Sequence, residues 1–146
     1  MFVIDTNVLL YSADADSEFH PTCRAMIEES RSQEAPWFLT WGICYEFLRV
    51  STHPRVYRNP WTSQAAWQFM EQLLACPSLS MLTATHRHEA VLGQCLAELP
   101  EARGNLMHDL HIAVLMREHG ISRIVTRDTD FHRFDFLQVI DPLRAI

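Results

Sequence analysis

Five short apolar runs, at residues 2–5, 37–40, 78–83, 121–126 and 136–140, alternate with longer stretches whose apolar residues recur at helical spacing. Neighbouring parallel strands need a crossover of about a dozen residues, and a helix supplies it. The alternation predicts an α/β fold: a central parallel sheet of about five strands with helices on both faces, in three layers. Phe2, Val3 and Ile4 lack polar alternation, which suits a strand buried on both faces, and Asp5 ends that run. Open α/β sheets bind ligands beyond the carboxyl ends of their strands, so Asp5 arrives at a chemically useful place. Taken alone, Asp5 is equally well read as a turn residue or helix cap.

The helices can be placed from their punctuation. Pro21 suits the first turn of a helix that carries Cys23, Met26 and Ile27 inward. Thr40 is expected to cap a helix with Trp41, Ile43, Cys44, Phe47, Leu48 and Val50, and Thr62 or Ser63 the next, with Ala66, Phe69, Met70, Leu73 and Leu74 on its apolar face. A helix from about Arg87 to Leu99 turns Ala90, Val91, Cys95 and Leu96 inward. Asn105 is expected to cap a last helix, Leu106 to His119, which Gly120 ends in the left-handed conformation.

Composition narrows the function. At 146 residues the chain reads as one domain, 1–146, able to bury roughly 70% of its unfolded surface. No apolar stretch approaches the ~18 residues of a membrane span, and no basic segment precedes an apolar one at the start, so a cytoplasmic protein without membrane contact is expected. Cys23, Cys44, Cys76 and Cys95 are widely spaced without a Cys-x-x-Cys pair and read as buried free thiols. His86 with His88, or His108 with His111, falls short of the three or four ligands usual for zinc. Asp14, Asp16 and Glu18 lack the Gly and terminal Glu of a calcium loop. All 12 basic residues are Arg, which excludes Schiff-base and P-loop lysine chemistry. A net charge of −6 argues against a broadly basic surface but leaves room for a local Arg patch.

Further acids arrive where Asp5 does. Glu46 shares a helix face with Ile43 and Val50, and reads equally as a rim partner for Arg49. Asp109 lies in the first turns of its helix, with Ile112, Ala113 and Met116 at spacings that turn it toward the sheet. Asp128 and Asp130 follow the run at 121–126. In a parallel sheet these positions converge, and gathered carboxylates raise one another's pKa unless a cation is present. Oxygen donors without His or Cys point to Mg2+ or Mn2+, which can activate water and stabilise an in-line phosphodiester displacement.

Ile4-Asp5-Thr6-Asn7, the Glu46 helix, the 105–113 segment and Thr126-Arg127-Asp128-Thr129-Asp130-Phe131 together resemble the PIN domain, and more closely the VapC-type toxins of bacterial toxin–antitoxin pairs. The segment 47–54 is similar to one subgroup of these toxins. The resemblance implies a three-layer α/β/α fold and a metal-dependent endoribonuclease that acts on RNA, usually dimeric and neutralised by a small antitoxin covering the acidic groove. Asp5, Glu46, Asp109 and Asp128 match the family's acidic quartet, with Asp130 as a fifth acid. Asp5 and Asp109 are then expected as direct metal ligands, with Asp128 and Glu46 holding a second metal or orienting water, and Asn7 and Thr126 supporting by hydrogen bonds. Arg49, Arg55, Arg58, Arg103 and Arg127 are candidates for phosphate contacts. A phosphoaspartate domain is disfavoured by the missing Lys and by Asn7. A catalytically silent module whose acidic groove receives a partner's Arg remains open.

Overall fold

A computed structural model describes residues 1–144. Five strands, β1 (Val3–Ile4), β2 (Trp37–Thr40), β3 (Leu79–Leu82), β4 (Arg123–Val125) and β5 (Gln138–Ile140), join one sheet in the order β3-β2-β1-β4-β5, with every pair parallel. The connections carry six helices, α1 (Thr6–Ala13), α2 (His20–Ser32), α3 (Trp41–Ser51), α4 (Ser63–Leu74), α5 (His88–Glu98) and α6 (Leu106–Glu118). This is the α/β architecture expected from the alternating runs. Successive strand residues face opposite sides of a sheet, and Val3 and Ile4 are both 0% exposed, so helices cover both faces at its centre.

The chain leaves β1 for β2 and β3 on one side, then returns to lay β4 on the other side of β1. Strand order therefore reverses at the β1/β4 seam, with Val3 opposite Ile124 and Ile4 opposite Val125. Such a reversal sends the flanking connections to opposite faces and opens a crevice at the carboxyl ends of the two strands. Asp5 and Thr126 are the first residues beyond those ends.

Most of the expected punctuation is present. Thr40 Oγ1 accepts from the Ile43 amide at 3.1 Å, Thr62 Oγ1 accepts from the Ala65 amide at 3.1 Å, and Pro21 sits in the first turn of α2. Gly120 takes φ +68° just past α6, where a side chain would be strained. All four cysteines are free and buried. No helix among the described residues is long and apolar enough to cross a membrane.

Two expectations need correction. Asn105 does not cap α6 with its side chain: its backbone is already helical (φ −62°, ψ −25°), which turns the amide away from the first free N–H groups. Turn bonds from Met107 N to Gly104 O and from His108 N to Asn105 O satisfy that end instead. In α5, Cys95 is buried, but Ala90 and Leu96 face solvent. That helix packs chiefly on α6 and uses a narrower face than its composition offers.

Phe47 of α3 anchors one helical layer. It is fully buried, stacks on Phe69 of α4 at 4.8 Å, and meets the edge of Trp61 at 6.2 Å. Phe47→Ala should lose about 3–5 kcal/mol in urea unfolding. Tyr45→Ala, two residues away and 70% exposed, should lose no more than about 0.5 kcal/mol in the same titration.

Candidate active site

The crevice is built around one hydroxyl. Asp5 precedes α1 in extended backbone, and its Oδ1 accepts from the Thr6 amide at 2.7 Å. Its Oδ2 accepts from Thr126 Oγ1 at 2.7 Å and from Asn7 Nδ2 at 2.9 Å. Thr126 Oγ1 in turn accepts from Asn7 Nδ2 at 2.9 Å and from the Asp128 amide at 2.9 Å. A hydroxyl has one proton and two acceptor positions, and all three are used here. Asn7 completes the link across the seam by accepting from the Arg127 amide through Oδ1 at 3.2 Å.

The same link aims the next two acids. Asp128 caps a 3-10 turn over Thr129–Arg133, with Oδ1 accepting from the Asp130 amide at 2.9 Å. Asp109, in the first turn of α6, meets this turn from the other side. Carboxylate oxygens of Asp109, Asp128 and Asp130 all lie within 4.8 Å of one another. Asp5 stands beside them, joined to Asp128 through Thr126.

Charge in this crevice is poorly compensated by the protein. Burial, reinforced by the charges of Asp128, Asp5, Asp130 and Glu46, pushes the Asp109 carboxyl up to about 7. Asp109 accepts no hydrogen bond from the described residues. Burial also raises Asp5, to about 6, against the hydrogen bonds from Thr126 and Thr6 and with help from the Asp128 and Glu46 charges. Glu46 behaves differently: hydrogen bonds from Arg49, at 2.9 and 2.6 Å, hold it below the usual carboxylate range, with the His108 charge adding to the effect. Glu46 thus pairs with Arg49, as one of its two expectations had it, and lies outside the close group of Asp109, Asp128 and Asp130, with its charge acting on Asp5 and Asp109 through space. An all-oxygen donor set at this spacing, with one member lacking a protein donor, fits a hard divalent cation.

The other expected residues divide. Arg127 is drawn into the fold: its guanidinium lies over the Phe19 ring at 4.2 Å and its Nε is 3.5 Å from Asp141 Oδ1, which removes it from the phosphate-contact candidates. Arg49 is committed to Glu46. Arg55, Arg58 and Arg103 are exposed and make no ion pair among the described residues. Asp130 is more central than its expected place as a fifth acid, because the 3-10 turn folds it back toward Asp109. The Asp-x-Asp spacing was its only signal in the sequence, and it does not show the turn's direction.

A carboxyl whose folded pKa lies above its unfolded value binds more protons when folded, so its stabilising contribution is present below the unfolded pKa and is lost as pH rises through the folded one. In chelator, the wild-type chain should therefore lose stability relative to Asp109→Asn between about pH 4 and about pH 7, the interval from the ordinary Asp value to the raised one. Thermal unfolding of both chains across this range checks it, and Mg2+ or Mn2+ should raise the wild-type midpoint most at the alkaline end.

Comparison with known proteins agrees with this geometry. The PIN domain family model matches residues 2–137. Ribonuclease VapC48 of Mycobacterium tuberculosis is 30% identical over 138 residues, covering 94% of each chain. VapBC2 from Rickettsia felis, solved bound to a DNA fragment from their promoter, superposes with a TM-score of 0.69 at 16% identity, over 95% of this chain and 96% of that one. Mycobacterium tuberculosis VapC20, described as a Sarcin-Ricin loop cleaving toxin, gives a TM-score of 0.66 at 16% identity, over 90% and 93%. With its sheet order reversing at an acidic crevice and the family model spanning nearly its whole length, the chain belongs to the PIN domain family.

Proposed function

We propose that the chain is a metal-dependent endoribonuclease, the toxin of a toxin–antitoxin pair, acting in the cytoplasm on RNA phosphodiester bonds. The observation that carries this reading is the cluster of Asp109, Asp128 and Asp130, whose oxygens lie within 4.8 Å of one another while Asp109 has no hydrogen-bond donor among the described residues. The cluster holds no Ser, Cys or Lys and its carboxylates are gathered as ligands are, so in this reading water is the attacking group. Asp109 and Asp128, with Asp5 or Asp130, would hold Mg2+ or Mn2+. Bound there, such an ion supplies an activated water and offsets charge on the phosphodiester.

The chain's own residues prepare that step. Asp5 fills three of its roughly four acceptor positions with Thr6, Asn7 and Thr126, which leaves one on Oδ1 for a cation or an ordered water. Thr126 fixes the plane of that carboxylate, and through the Asp128 amide it also sets the second acid. Glu46, held charged by Arg49 at the rim, adds negative potential without adding a proton near neutrality. The names of VapC48, VapC20 and VapBC2 support the ribonuclease, the toxin and the two-component assembly. Trp41 and Tyr45, exposed one turn apart on α3, offer apolar surface for an antitoxin or a second copy of the chain.

Purified protein incubated with total tRNA and ribosomal RNA should yield discrete fragments in Mn2+ or Mg2+ and none in chelator. Asp109→Asn and Asp128→Asn should abolish them. Thr126→Val, which keeps every acid, should slow cleavage by about 10- to 100-fold. Fragments that persist in chelator, or in both Asn variants, would overturn the assignment.

A further inference from the structure

Beside the acid cluster lies an open groove of about 720 Å3, walled by the segment leading into α6 and by the 3-10 turn. Asp130 lines it, so the groove begins at the cluster itself. Arg103 and Arg133 stand on its two walls, with the exposed Asn105 between them and the cluster's helix. Neither Arg makes an ion pair or hydrogen bond through its side chain among the described residues. Six other arginines, Arg24, Arg31, Arg49, Arg117, Arg127 and Arg144, are each paired with a carboxylate. Arg133 also stands three residues from Asp130 on the same turn without bridging to it, although that spacing commonly pairs.

Asn105 adds a second uncommitted group. It does not cap α6, and its amide makes no hydrogen bond within the described residues, which leaves both a donor and an acceptor facing a groove. Leu106, Ala102 and Pro100 supply apolar lining between these polar groups. Charged ends with an apolar floor match a nucleotide chain, whose phosphates alternate with sugars and bases.

Building on the ribonuclease reading, we propose that this groove seats the RNA strand flanking the cleaved bond, with Arg103 and Arg133 as positioning residues on its phosphates and Asn105 on a ribose or phosphate oxygen. The strand runs from the acid cluster past Asp130 and out between the two arginines. Glu101, on the same rim, opposes binding. Arg123 provides a contrast: it is exposed and unpaired among the described residues but lies at the amino end of β4, the opposite end of the sheet.

The test uses binding and turnover together. In the Asp109→Asn chain, affinity for a short fluorescein-labelled single-stranded RNA is measured by anisotropy over a range of salt. Each lost phosphate contact on a single strand should reduce the slope of log affinity against log salt by about 0.7. Arg103→Ala and Arg133→Ala should each show that loss, Glu101→Gln should bind more tightly, and Arg123→Ala should match its parent. In the cleavage-competent chain the two groove variants should raise KM about tenfold, as for a lost charged contact, with kcat retained. Unchanged slopes and unchanged KM in both groove variants would overturn the proposal, including the case in which the groove instead receives a partner protein. A failed ribonuclease reading looks different, since the parent chain itself would then yield no metal-dependent fragments.

Discussion

A carboxylate as buried as Asp5 persists at the centre of a sheet only because its oxygens are occupied, and the decisive partner, Thr126, lies 121 residues along the chain. That hydrogen bond ties the ends of β1 and β4 together at the seam where strand order reverses. It also couples fold to site. Thr126 cannot move without releasing Asp5, Asn7 and the Asp128 amide together, so the two acids on either side of the seam keep a fixed separation. The short strands around it suffice because Val3, Ile4 and Ile124 are fully buried and Val125 nearly so.

Two buried carboxylates show what burial alone does not decide. Glu118, near the end of α6, is buried as deeply as Asp5, yet the Thr85 hydroxyl and amide and His88 supply enough donors to outweigh burial and hold it below the usual range. It pins the approach to α5 and is structural. Asp109 has no such donors among the described residues and faces four other acids, so the same physics drives its carboxyl upward. A fold optimised for stability alone would not keep that arrangement. The repulsion is stored where a cation can relieve it, and the link through Thr126 keeps it from dispersing by side-chain movement.

The architecture was largely legible in the sequence because the central strands are unalternated apolar runs and three of the acids, Asp5, Asp109 and Asp128, directly follow a strand or open a helix. Asp5, Asp109 and Asp128 could be placed from those positions alone. Glu46 could not be resolved between a rim partner and a site residue, and the structure explains why: it pairs with Arg49 while its charge still acts on Asp5 and Asp109. The misplaced details are those that depend on how an end is turned. Asn105 has a capping composition, but its backbone is already helical. Leu96 has an inward spacing, but α5 buries a narrow face. Arg127 is adjacent in sequence to the site, but Phe19 and Asp141 hold its side chain elsewhere.

The distribution of charge explains how a chain of net charge −6 can still meet a polyanion. Half of its 12 arginines are paired with a carboxylate, several of them along single helices, so these contribute little field at a distance. Arg103 and Arg133 make no ion pair among the described residues, and both lie on the groove that leads into the acid cluster. Arg55, Arg58 and Arg123 are also exposed and unpaired among the described residues, but none of them lines that groove. On the proposed reading, free guanidinium groups beside an acidic cluster bring together the two requirements of phosphodiester cleavage, namely attraction of the strand and relief of charge at the scissile phosphate. The missing lysine fits this division of labour, because Arg binds phosphate through a planar pair of donors while the proposed reaction calls on carboxylates, a divalent cation and water.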